Sequence, residues 1–142
     1  MINKELIKEC LDILELKYTE LDNGDLAVPF KDDSFFPHQI VTFISINDEG
    51  TFMLFSSRAF DYHPEGDLLM MANRHNTRCY APCCFINDNG NVVFDRSFTV
   101  TKEVSPHYII NNIIRPSIFL PLDSFANFEL TNEELEEKQN QD

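Results

Sequence analysis

Gln39-Ile40-Val41-Thr42-Phe43-Ile44-Ser45-Ile46-Asn47-Asp48-Glu49-Gly50-Thr51-Phe52-Met53-Leu54-Phe55-Ser56-Ser57 is the stretch that decides the fold. Two runs of β-branched and aromatic residues flank an Asp-x-Gly turn, in which one residue tolerates positive φ and another bonds its own backbone, so the segment reads as a β-hairpin. Pairing Ile46 with Thr51 sets Val41, Phe43, Ser45, Phe52, Leu54 and Ser56 on one face and Ile40, Thr42, Ile44, Ile46, Met53 and Phe55 on the other. Both faces are apolar. A solvated sheet face alternates with charge, so this hairpin is central and each of its sides calls for a cover. The domain's own helices account for one side. The other requires a further helix, a second subunit or a partner, and Phe43, Phe52 and Leu54 mark the centre of that partner or dimer surface. The competing arrangement has three helices wrapping both sides within one chain.

Two more Asp-x-Gly turns lie outward from it. Asp22-Asn23-Gly24 joins a short strand or helix exit at residues 17–21 to a strand at 26–30, where Pro29 marks an edge, and a polar loop follows at 31–36. Asp88-Asn89-Gly90 joins residues 79–86 to 92–100. In that hairpin Val92, Phe94, Phe98 and Val100 share a face, and Asp95, Ser97 and Thr99 form a wet one. Leu6, Ile7, Cys10, Leu11, Ile13 and Leu14 recur at helical spacing over residues 3–16. His63-Pro64-Glu65 opens a second helix, which runs to about Asn76. Ser105-Pro106 caps a third, with Ile109, Ile110, Ile113 and Ile114 on its apolar stripe; Pro116 and Pro121 end or kink it near Arg115 before it resumes toward Phe128. The class is α+β: an antiparallel sheet of five to six strands flanked by three helices. Residues 1–130 form one domain, and residues 131–142 form an acidic flexible tail expected to fray.

A length of 142 residues suits one packed domain with no disulfide or metal needed to hold it. Twenty-four acidic residues against 11 basic ones give a net charge of -13, which repels nucleic acid and anionic lipid and suits a basic or apolar protein partner. The N-terminal residues lack the apolar core of a secretory signal, and no run of about 18 apolar residues occurs. A cytoplasmic protein with reduced cysteines and no cofactor is expected.

His75, Cys79, Cys83 and Cys84 carry zinc-binding chemistry, but their spacing crosses a helix–strand boundary and matches no zinc knuckle, so they read as free thiols and a core histidine. Asp61, His63 and Glu65, with His38 and His107 added by folding, sketch an acid–base cluster. No nucleophile elbow, phosphate loop or dinucleotide glycine pattern accompanies it, and the expectation is a protein that is not an enzyme. Arg96 falls on the apolar side of its strand, opposite Cys83, with its stem on Phe94 and Phe98 and its head in water. Glu133, Glu134, Glu136 and Glu137 read as a solvated end.

The order helix, strands, helix, hairpin, helix, and above all Asp67-Leu68-Leu69-Met70-Met71-Ala72-Asn73-Arg74-His75-Asn76 followed by Cys83-Cys84-Phe85-Ile86-Asn87-Asp88-Asn89-Gly90-Asn91-Val92-Val93-Phe94, resembles the YbjN-domain family, described as sensory transduction regulators of bacteria. The resemblance spans roughly residues 3–128. It implies a fold like that of type III secretion chaperones, which commonly dimerise and present a surface to an extended or helical partner, and it brings no catalytic residues. The function expected is a non-enzymatic, chaperone-like or regulatory module that holds a partner segment or self-associates as a homodimer. The alternative is a small-ligand-binding or catalytic protein with an enclosed pocket.

Overall fold

Alternating burial along two strands sets the architecture. In β3 (Phe36–Ile46) and β4 (Phe52–Arg58), Ile40, Thr42, Ile44, Met53, Phe55 and Ser57 are all buried, while the residues between them are mostly half-exposed. The computed structural model describes residues 2–141. With β1 (Thr19–Glu20), β2 (Leu26–Asp32), β5 (Cys83–Ile86) and β6 (Val92–Thr99), these strands form one antiparallel sheet in the order β1-β2-β3-β4-β6-β5.

The partition of the central hairpin into two faces is as expected, but its register is not. Ile46 pairs with Met53 rather than Thr51. Asn47 is the cause: its Oδ1 accepts from the amides of Thr51 (2.8 Å) and Phe52 (2.9 Å), drawing Thr51 into the loop. The turn moves by one residue, so the register moves by two, and an even slip leaves each side chain on its own face. In the third hairpin the slip is odd. Cys83 pairs with Asp95, so Cys84, not Cys83, lies on the apolar side, and Arg96 faces Phe55 of β4.

Three other boundaries differ. The stretch 31–36 is not a loop, because β2 runs to Asp32 and β3 starts at Phe36, with Asp32 bonding the Ser34 amide in the tight turn between them. His63-Pro64-Glu65 precedes a helix without opening it: α2 (Leu68–Arg78) begins after Asp67, whose carboxylate caps the Met70 amide. Residues 132–140, expected to fray, form α5 (Asn132–Asn140), an exposed helix closed by a capping box between Thr131 and Glu134.

All the helices that bury apolar residues lie beneath one face of the sheet. There α1 (Lys4–Ile13) and a π-helical segment (Ile109–Ile114) enclose Leu26, Val28, Ile44, Met53 and Phe55. Beside them α2 and α4 (Arg115–Asn127) enclose Ile40, Cys84 and Phe94, with Phe94 in edge contact with Phe125 (4.6 Å) and His75 (4.8 Å). The last helical run is neither ended nor broken at Pro116. It passes from α3 (Pro106–Tyr108) through the π segment into α4, and the wider π turn places Pro116 in the first turn of α4, where its missing N–H is not needed.

Helix α2 also closes an edge of the sheet. The Asn76 carboxamide donates to the Cys84 carbonyl (2.9 Å) and accepts from the Cys84 amide (2.8 Å), occupying both outward backbone groups of Cys84 as a neighbouring strand would. Next to it the buried His75 ring meets the Pro82 carbonyl at 2.8 Å through Nε2. Burial holds this imidazole below its ordinary range. Asn76→Ala orphans both groups of Cys84 at once, so urea unfolding should show a loss of about 1–3 kcal/mol. Thr77→Ala, at an exposed neighbour, should stay within about 0.5 kcal/mol. Equal losses for the two variants would contradict the edge-closing role.

Candidate functional site

The sheet face opposite the helices carries the unassigned chemistry. Because β3 and β4 are central and apolar on both sides, this face presents Val41, Phe43, Phe52 and Leu54 without a helix over them. Phe52 is 42 % exposed, as is Phe85 of β5, and Phe60, just past β4, is 52 % exposed. Phe60 meets the Phe43 ring edge-on at 6.2 Å, and the Arg58 guanidinium lies over the same ring at 5.6 Å.

At its centre is an open depression of about 410 Å³, lined by Phe43, Leu54, Ser56, Arg58, Phe85 and Asp95, with Asn23 and Asp25 of the first turn at its rim. Strand register brings the polar groups together: Asp95 stands across from Ser56, and Arg58 lies two pairs further along, the next position on the same face. Among the described residues, Nε of Arg58 and Oδ1 of Asp95 are each buried without a hydrogen-bond partner. Burial pushes the Asp95 carboxyl up, against the downward pull of Ser56 and of the Arg58 charge. A guanidinium and a carboxylate, each with an unused polar atom, are thus set in an apolar surface that water reaches from one side only.

Phe43, Phe52 and Leu54 therefore share this uncovered face. Arg58, Phe85 and Asp95 were missed. Continuing the alternation of β4 by one residue reaches Arg58, whereas placing Phe85 and Asp95 requires the register of a hairpin whose turn bonds through Asn87, which accepts from the amides of Asn89 and Asn91.

The other candidate groups fall elsewhere. His75 and Cys84 are buried under the sheet, Cys79 and Cys83 are exposed, and burial pushes the Cys84 thiol up to about 12. Among the described residues no three His, Cys, Asp or Glu side chains converge as a metal would require. His38 and Asp61 do meet, at 3.4 Å, whereas His63 and Glu65 lie outside that contact and His107 touches Asn111. Arg96 keeps its stacking on Phe98 (4.9 Å), but its head donates to Ser117 Oγ (3.3 Å) rather than reaching only water. Among the described residues no helix is long and apolar enough to cross a membrane.

A carboxylate that is costly to ionise in place makes a measurable difference. Its folded pKa is raised, so the native state holds the proton more tightly than the unfolded chain, and stability falls as pH rises from the ordinary value of 3.8 through the folded one. Asp95→Asn lacks this cost. Thermal unfolding should give the variant a melting temperature equal to or above the parent's at pH 7, with any gain vanishing below pH 3.8. A melting temperature well below the parent's at pH 7 would mean that the charge is fully compensated in place.

No curated protein and no solved structure matches the chain. A family model does, over residues 3–113 of 142, from the cap of α1 through the hairpins and α2 into the π segment. The chain belongs to the YbjN family, described as "Putative bacterial sensory transduction regulator".

Proposed function

We propose that the chain is a non-enzymatic regulatory module of the secretion-chaperone type that works by protein association through its helix-free sheet face, and that a second copy of the chain occupies that face. The observation that carries this reading is local charge. The chain as a whole bears -13, yet the centre of the face sets one arginine, Arg58, against one aspartate, Asp95, among phenylalanines and Leu54. Two copies can approach there with less repulsion than elsewhere on the surface. A two-fold arrangement is self-complementary: it sets the Arg58 charge of each copy near the Asp95 charge of the other. Phe43, Phe52 and Leu54 form the apolar centre of this contact, and aromatic residues around an arginine are what association energy usually concentrates on.

The domain at residues 1–130 carries this role, with 131–142 as an acidic appendage, and the net charge suits a cytoplasmic setting. The depression is open on one side, which supports a protein surface over the enclosed pocket a small-ligand protein needs.

Light scattering coupled to size exclusion tests the reading. The parent should run at twice the chain mass, and Leu54→Glu should run at the chain mass with unchanged circular dichroism. Ile13→Glu, on the exposed side of α1, should remain dimeric. A parent that stays at the chain mass over the whole concentration range, or a Leu54→Glu protein that remains dimeric, would overturn it.

A further inference from the structure

The sheet has a second unfinished feature, on its edge rather than its face. In an antiparallel ladder, successive residues turn their backbone groups to opposite sides. The Val100 amide donates to the Thr51 carbonyl, on the β4 side, so the amides and carbonyls of Ser97 and Thr99 point the other way, toward the line of β5. Strand β5 does not reach them. Its last pair is Cys83 with Asp95, and before Cys83 the chain turns away at Pro82. A notch of about 230 Å³ remains, bounded by Tyr80, Ala81, Cys83, Arg96, Ser97 and Phe98. After Val100 the chain passes toward Ile2 and Leu6, leaving Thr99 exposed.

Two other stretches of edge carry protection. On β2, the Leu21–Asp25 bond sets the odd-numbered residues outward, so past the end of β1 the outward residues are Pro29, which has no N–H, and Lys31. On β5, Asn76 occupies the outward groups of Cys84. Ser97 and Thr99 have neither device.

We propose that residues 96–99 of β6 are a docking edge for an extended segment of a partner protein, which adds as a strand beside β6 in the notch left by β5. Only an extended backbone matches two outward amide–carbonyl pairs spaced two residues apart. The segment's side chains are specified as well. Those beside Ser97 and Thr99 are polar, and the one beside Phe98 is apolar, packing where the Arg96 guanidinium already stacks on that ring. Flanking basic residues are favoured by the net charge of -13. A second copy is a poor occupant, because each chain carries that charge and offers only two outward residues to pair. This edge borders the helix-free face, since Ser97 and Thr99 stand across from Leu54 and Phe52, but it binds through outward backbone groups and not through that face's side chains.

Amide hydrogen exchange by NMR, with the synthetic peptide Lys-Lys-Thr-Val-Thr-Val-Thr-Lys-Lys as probe, tests it. In the free protein the Ser97 and Thr99 amides should exchange at least about a hundredfold faster than the Phe98 amide, which bonds across to β4. Saturating peptide should slow both by at least about tenfold, and the same peptide N-methylated on alternate amides should leave them fast. Thr99→Pro removes an outward donor without touching the β4 ladder, and should weaken peptide binding at least about tenfold. The inference is overturned if the N-methylated peptide binds as tightly, if millimolar peptide leaves exchange unchanged, or if both amides are already protected in the free protein. Protection that grows with protein concentration would assign the edge to a second copy.

Discussion

Burial of Ile44, Met53, Phe55 and Phe94 beneath the helices is the contact on which the rest of the molecule depends. It draws α1, the π segment, α2 and α4 to one side of the sheet, and truncating any one of these phenylalanines to alanine is the kind of change that costs about 3–5 kcal/mol. Among the described residues no comparable apolar helix is left for the opposite side: α5 is polar and buries nothing. The exposed phenylalanines of the helix-free face are thus the complement of a well-filled core. The same strands make both, since β3 and β4 set apolar residues on both of their faces and a two-layer fold covers only one.

Much of this was legible in the residues. The alternation of β3 and β4 fixes which side chain belongs to which face, and the Ser105-Pro106 cap and isoleucine stripe locate the last helical run. The Asp-x-Gly turns locate the hairpins, and their glycines do take positive φ, 91° at Gly24 and 78° at Gly90. What periodicity does not carry is register. Asn47 and Asn87 each gather two loop amides onto one side-chain oxygen, which decides where a turn closes, and neither bond has a signature in the hydrophobic pattern. An even error was harmless, and an odd one moved Cys83 to the wrong face. The helix at Asn132–Asn140 did have a signature in Thr131 and Glu134, but without an apolar stripe it read as a polar end.

The polar residues of the site were harder to foresee for a related reason. Arg58 and Asp95 sit in strands whose neighbours are apolar, and each by itself reads as an ordinary boundary or solvent residue. Their meaning comes from adjacency across β4 and β6, where the low exposure of both leaves atoms unpaired. A single sequence records such a pair only through a register that is itself set by a turn.

Helix α2 ties together parts of the chain that are far apart in sequence. On one side Asn76 and His75 grip β5. On the other, Arg74 and Arg78 donate to the carbonyls of Asn127, Glu129 and Leu130 at the end of α4, satisfying groups that the helix leaves free. Lys138 of α5 reaches back to Asn127 at 2.6 Å. The second helix is therefore a bracket: a pull on the C-terminal helix is borne by arginines, passed along one rigid rod, and delivered to the strand that borders the notch. Mechanically, the end of the chain and that edge of the sheet are neighbours, although more than 40 residues separate Cys84 from Asn127.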